Sequence, residues 1–249
     1  MKKLLSLSDD ILNEVGIRYW IDGGVLLGLH RFDSFLPWDD DIDLGVLGEI
    51  SGSKVQQLEK AAEKRGLEFT AIWGDFETAG NGLGAGKPPM WAFTFTPTTW
   101  KQFILETDPE IPLEQADRLV LEYMLHDNVP RSELIIFEQQ NDLIIPQYEG
   151  FKKMLNLGGF PLNVIFQNGD TNTQQPTHNF LGKDYPIPER IEDVLADWYK
   201  SPNIKTDIVM NAALHTGRCT QKIRFRDTDK TPHVIEYLKK YLQFVFGNS

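Results

Sequence analysis

YWIDGGVLLGLHRFDSFLPWDDDIDLGVL, residues 19–47, is the stretch on which the fold of this chain turns. An apolar strand candidate, Ile17–Ile21, runs into Asp22-Gly23-Gly24, and a short helix candidate, Val25–His30, follows. An acidic run, Asp39–Asp43, then enters a second strand that ends near Leu47. Asp41 and Asp43 alternate with Ile42 and Leu44, so an extended chain puts both carboxylates on one face and both hydrophobes on the other. Neighbouring carboxylates raise each other's pKa unless a cation neutralises them. Oxygen ligands at this spacing suit a hard divalent ion, Mg²⁺ or Mn²⁺, carried in with the phosphates of a substrate. An Asp-rich run after a proline also describes a solvated turn. The upstream glycines add specificity: without side chains they let a ligand approach the backbone, and the N–H groups of a helix start attract phosphate oxygens. The two halves together make a nucleotide di- or triphosphate site and point to phosphoryl transfer.

The segment resembles the LicD family, which includes the fukutin-related proteins, within the nucleotidyltransferase fold. The family pattern reads here as Tyr19-Trp20, Gly23-Gly24, Leu26-Leu27-Gly28, Arg31 and Pro37-Trp38-Asp39-Asp40-Asp41-Ile42-Asp43. A weaker echo lies in Tyr185-Pro186-Ile187-Pro188 and the helical pattern that ends in Trp198-Tyr199-Lys200. The resemblance implies transfer of a phosphorylated alcohol, of phosphocholine or ribitol-phosphate type, from a CDP-linked donor to a glycan or other hydroxyl acceptor. Asp41 and Asp43 are then expected to hold Mg²⁺, with Asp39 a third ligand or the base for the acceptor hydroxyl. Gly23 and Gly24 are expected to hold a phosphate. Arg31 could grip one bidentately or pair with Asp33 or the acidic run. Two alternatives stand beside this: a nucleotidyltransferase moving NMP from an NTP to a small hydroxylated acceptor, and an inactive nucleotide-binding module. Family members carry a further acid on a later strand. The candidate strand Met90–Thr96 has none, Pro161–Gln167 places Asn163 at that point, and Asp142 before Leu143-Ile144-Ile145 is another candidate.

Composition narrows the classes. The 249 residues suit a single domain over 1–249, with about 97–180 as an elaboration of it. The chain is 41% hydrophobic and 24% charged, a globular balance. A net charge of −11 argues against nucleic-acid binding but not against a nucleotide carried with a metal. Cys219 is the sole cysteine, which excludes an intramolecular disulfide and a Cys-based zinc module. The opening MKKLLSLSDD is interrupted by Asp9 and Asp10, which reads as neither a signal peptide nor a membrane span, and a cytoplasmic location is expected.

The expected architecture is α/β: a nucleotidyltransferase-like small mixed sheet flanked by helices, with a large central insertion. Helix candidates cover Lys3–Val15, Ser53–Arg65 with Ser53 as cap, Pro112–His126, Glu189–Lys200 and Thr231–Phe246. Further strands are expected over Leu67–Trp73, Glu133–Glu138 and Leu143–Pro146. Gly74–Pro89 lacks the P-loop spacing and reads as a surface loop or a substrate lid, and Asn168–Asn179 as a long polar loop. Lys222, Arg224 and Arg226 alternate with Ile223 and Phe225, lining three cations along one strand face for an anionic substrate or as a solvated edge. Trp198 is expected to anchor the core. No pair among His30, His126, His178, His215 and His233 has helical zinc-ligand spacing.

Overall fold

A computed structural model describes residues 1–36, 39, 41–72, 90–125, 130–148, 152, 158–199, 209–211 and 222–224. Helix α1 (Lys2–Val15) buries Leu4, Leu5, Ile11 and Leu12 along one side and stops at Gly16, whose φ of 69° is left-handed. Its N-terminus has no side-chain cap. A missing cap forfeits about 1 kcal/mol, whereas each buried Leu or Ile contributes roughly 1.5–3 kcal/mol, so packing holds this helix. Strand β1 (Tyr19–Ile21), helix α2 (Gly23–Phe32) and strand β2 (Asp41–Leu47) follow as the sequence pattern requires.

Helix α3 (Ser53–Glu63) comes next, and strand β3 (Leu67–Ile72) pairs antiparallel with β4 (Met90–Phe95). Helices α4 (Pro97–Thr107) and α5 (Leu113–Leu125) precede the long strand β5 (Arg131–Gln140). Strand β5 turns through Asn141 into β6 (Leu143–Pro146), which pairs with β7 (Phe160–Pro161). The sheet order is β1-β2-β5-β4-β3, with β6 and β7 continuing from the far half of β5. Only β2 and β5 run parallel among these pairs; β1–β2, β5–β4, β4–β3, β5–β6 and β6–β7 are antiparallel, giving the mixed sheet expected. Helices α1 and α3 pack on each other, α3 on β3, and α1 on β4 and β5. Trp20 lies opposite Gly45 across β1–β2, where a Cβ would stand 2.2 Å from the indole; glycine makes room for that fully buried ring.

After the single turn α6 (Leu162–Ile165) come the hairpin β8 (Thr177–Phe180)–β9 (Lys183–Pro186) and helix α7 (Ile191–Tyr199). Buried Asp9 accepts hydrogen bonds from the Tyr19 hydroxyl and from Asn13 (2.7 Å), and pairs with Lys183 at 2.5 Å. That cluster ties α1 to β1 and to the β8–β9 hairpin. Strands β10 (Val209–Asn211) and β11 (Lys222–Arg224) form a separate antiparallel pair.

The structure corrects three expectations. Ser53 is not a cap but the first residue of α3 after Gly52, and makes no capping bond. The strand proposed over Pro161–Gln167 is a two-residue strand followed by a helical turn, which leaves Asn163 exposed. The expected loop Asn168–Asn179 ends early, because Thr177–Phe180 pairs with β9. Within the segment 97–180, strand β5 runs between β2 and β4 at the centre of the sheet. Expectations for Pro37-Trp38, Asp40, Gly74–Pro89, His126, Lys200, His215, Cys219, Arg226 and Thr231–Phe246 fall outside the described residues. Among the described residues, no helix is long and apolar enough to cross a membrane.

Candidate active site

The strand register assembles the acids. Asp41 and Asp43 lie on one face of β2, while Ile42 and Leu44 are fully buried on the other. In the parallel β2–β5 pair, Asp43 stands beside Glu133 and Asp41 beside Arg131, which carries Glu133 onto the same face. Carboxylate oxygens of Asp41, Asp43 and Glu133 lie within 4.8 Å of one another. Glu133 is the third acid; it is buried and paired with Arg131. Asp142 does not supply it. It follows Asn141 in the β5–β6 turn, seven or more residues up the strand from Glu133, a separation on the order of 20 Å. Asn163 and the Met90–Phe95 strand are likewise not the source.

The glycine pair accommodates these carboxylates. A Cβ on Gly23 would meet Asp43 Oδ2 at 2.0 Å, and one on Gly24 would meet Asp39 Oδ2 at 2.2 Å. Gly24 N–H donates to Asp43 Oδ2 at 3.0 Å, and Gly23 N–H donates to Asp22 Oδ1 at 2.9 Å. Gly23 also holds a φ of +50°, a left-handed conformation that suits glycine. Both N–H groups expected to cradle a phosphate are thus engaged by carboxylates at the start of α2, where the helix dipole favours negative charge.

The electrostatics follow from crowding and burial. Shielding of its carboxylate drives Asp43 well above the usual range, and Asp41, Glu133 and Asp39 push it further; the Gly24 N–H opposes them. Asp22, the fully buried N-cap of α2, is raised to about 6 by burial, against the pull of Gly23 N–H and the indoles of Trp198 and Trp20. Those indole N–H groups donate to it at 2.8 Å and 3.2 Å. Tyr199, at the end of α7, is raised by burial and then by Asp43, Asp39, Asp22 and Asp41. Burial pulls the Arg31 guanidinium down while Tyr199 raises it, which puts these two side chains in one neighbourhood.

Asp39, Asp41, Asp43, Gly23 and Gly24 therefore come together as the sequence pattern suggested. Arg31 is buried in the last turn of α2. Lys222 and Arg224 lie on a strand, but their side chains and Arg226 are outside the described residues. Trp198 does more than anchor the core: it packs edge-on against Phe160 at 6.2 Å and also donates to Asp22. Sequence reasoning missed Glu133, Asp22 and Tyr199. Glu133 had a readable signal, an acid heading the apolar run Leu134-Ile135-Ile136-Phe137 on a predicted strand.

Comparison with known proteins finds a family match within about the first third of the chain. Residues 16–84 match the LicD/FKTN/FKRP nucleotidyltransferase domain. Ribitol 5-phosphate transferase FKRP of Homo sapiens is 40% identical over 72 residues, which cover 26% of this chain and 14% of the relative. Human ribitol-5-phosphate transferase FKTN is 38% identical over 45 residues, 18% of this chain and 10% of the relative. An uncharacterized protein of Rickettsia prowazekii is 41% identical over 54 residues, 19% of this chain and 20% of the relative. The matches thus span a fifth or less of these relatives' length, and the family match covers the glycine pair, Asp39, Asp41 and Asp43. Through residues 16–84 the chain is similar to the LicD/FKTN/FKRP nucleotidyltransferase domain.

Proposed function

We propose that the protein is a Mg²⁺-dependent phosphotransferase that moves a phosphorylated alcohol, of ribitol-phosphate or phosphocholine type, from a CDP-linked donor to a glycan or other hydroxyl acceptor. The observation that carries this reading is the convergence of Asp41, Asp43 and Glu133 within 4.8 Å beside the Gly23-Gly24 start of α2. The transferase names of the FKRP and FKTN relatives support the group transferred.

The residues fit a hard dication. All three are carboxylates, and Asp43 is strongly disfavoured as an anion in the metal-free site by its burial and by its neighbours. Arg131 offsets part of that charge through Glu133. Bound by Asp41, Asp43 and Glu133, Mg²⁺ would supply charge neutralisation for the donor pyrophosphate and for the leaving CMP. Asp39, poised over Gly24, takes the proton of the acceptor hydroxyl as its oxygen bonds to the phosphorus bearing the alcohol. The pyrophosphate P–O bond then breaks in line and CMP departs. Arg31 orients a phosphate oxygen, and the side-chain-free Gly23-Gly24 turn leaves space for the Asp43 and Asp39 carboxylates.

Incubation with CDP-ribitol or CDP-choline, Mg²⁺ and a polyol acceptor tests the reading. Release of CMP with labelled phosphodiester product is expected. Pyrophosphate released from an NTP would replace it with the nucleotidyltransferase reading, and nucleotide binding without turnover would replace it with a binding module.

A further inference from the structure

Asp22 does more than cap a helix. A cap needs one oxygen facing one or two backbone N–H groups, and serine or asparagine serves as well. Here a fully buried carboxylate takes three donors from two parts of the chain: Gly23 N–H, the Trp20 indole of β1 and the Trp198 indole of α7. Burying a carboxylate is unfavourable unless several donors satisfy it, so these contacts fix Trp198 in place. The Asp22 backbone N–H also donates to the Asp43 carbonyl at 3.0 Å, which joins the arrangement to the acid-bearing strand.

The rest of α7 follows from that anchor. At its other end Glu192 pairs with His30 in the last turn of α2 at 3.5 Å. Helix α7 therefore runs antiparallel along α2, held at Asp22–Trp198 and at His30–Glu192. Tyr199 is the next residue after Trp198. Its side chain, on a half-buried residue, lies in the field of Asp43, Asp39, Asp22 and Asp41, and in that of Arg31. Carboxylates can only accept hydrogen bonds, so an anionic ligand at this site needs donors from elsewhere. A tyrosine hydroxyl at the end of α7 is a donor of that kind.

We propose that Asp22 and Trp198 are positioning residues that set the Tyr199 hydroxyl in the wall of the active site, where it donates to a phosphate oxygen of a nucleoside diphosphate donor. This rests on the phosphotransferase reading and deepens it: Tyr199 contacts substrate, while Asp22 and Trp198 act through it.

The test is a double-mutant cycle with two calorimetric probes, CDP with saturating Mg²⁺ and Mg²⁺ alone. Trp198→Phe and Tyr199→Phe are each expected to weaken Mg²⁺·CDP binding about tenfold, the loss of one hydrogen bond to a charged group. Affinity for Mg²⁺ alone should stay within about twofold of the parent, because Asp41, Asp43 and Glu133 are untouched, a split that a general loss of structure would not give. The double variant should bind Mg²⁺·CDP no more weakly than Tyr199→Phe. Should Trp198→Phe fail to fold, Asp22→Asn takes its place in the cycle, since asparagine still caps α2. Single variants that bind like the parent, or losses that add in the double variant, overturn the inference and leave the phosphotransferase reading standing. A parent that binds Mg²⁺ but not Mg²⁺·CDP overturns both.

Discussion

Gly24→Ala separates the two jobs of the glycine pair. The added Cβ would stand 2.2 Å from Asp39 Oδ2, 3.0 Å from its Cγ and 3.2 Å from Oδ1, so its three nearest neighbours all belong to one side chain. The clash is confined to the end of one side chain, so Asp39 must swing away by about 1 Å while the backbone stays. Alanine in a helix gains at most about 1 kcal/mol over glycine. The melting temperature should therefore hold or rise by a few degrees. Turnover should fall about 100-fold, the usual consequence of moving a general base by about 1 Å. Mg²⁺ affinity should change little. Gly23→Ala is the contrast. Its Cβ would lie 2.0 Å from Asp43 Oδ2 and 2.8 Å from Asp43 Cβ, at a residue with φ +50°. Backbone strain of roughly 1–2 kcal/mol then adds to displacement of a metal ligand, so stability and Mg²⁺ affinity both drop. Thermal melts, Mg²⁺ calorimetry and kcat on the two variants read out the difference. A Gly24→Ala enzyme with parental kcat would refute the role given to Asp39, and one that loses several kcal/mol would refute the local nature of the clash.

Further outcomes follow from the same charges. Asp43→Asn should abolish turnover yet raise the melting temperature of the metal-free protein, because an amide keeps the Gly24 N–H bond without the repulsion. Glu133→Gln should weaken Mg²⁺ binding by roughly 10–100-fold in calorimetry, within the few kcal/mol that close charges exchange at a partly screened site. Asp22 is raised from 3.8 to about 6 on folding, so the folded state holds its proton more tightly and stability falls as pH rises from about 4 past 6. A shift of about two units corresponds to roughly 3 kcal/mol, and urea titrations across that range should show Asp22→Asn lacking this loss. If the basic segment Lys222, Arg224 and Arg226 holds an anionic substrate, Arg224→Glu should raise KM at low ionic strength and lose the effect above ~0.1 M salt; unchanged kinetics at low salt would make it a solvated edge.

Much of the site was legible because it is local. One stretch of chain carries the strand, the glycine turn and the alternating acids, and period-two spacing alone puts Asp41 and Asp43 on one face. Glu133 was harder to see, because its place depends on β5 running parallel beside β2, and register between strands some ninety residues apart is not written in either one. Trp198 was read as a core anchor from its helical spacing, which is correct for its contact with Phe160 but blind to the buried Asp22 across from it. Pro161–Gln167 looked like a strand since short apolar runs suit either state; contact of Val164 and Ile165 with the core resolved it as a helical turn. The glycines were assigned to a ligand's phosphate, whereas their immediate neighbours are the protein's own carboxylates.

The most direct test of the metal centre is anomalous diffraction from crystals of the protein soaked in millimolar Mn²⁺. The account predicts one strong peak bounded by Asp41, Asp43 and Glu133, with oxygen ligands at about 2.0–2.2 Å, the range for a small hard dication. That peak should vanish in Glu133→Gln crystals soaked at low Mn²⁺. No peak between these three carboxylates in the parent, or a peak at another acid pair such as Asp9 and Asp10, would contradict it.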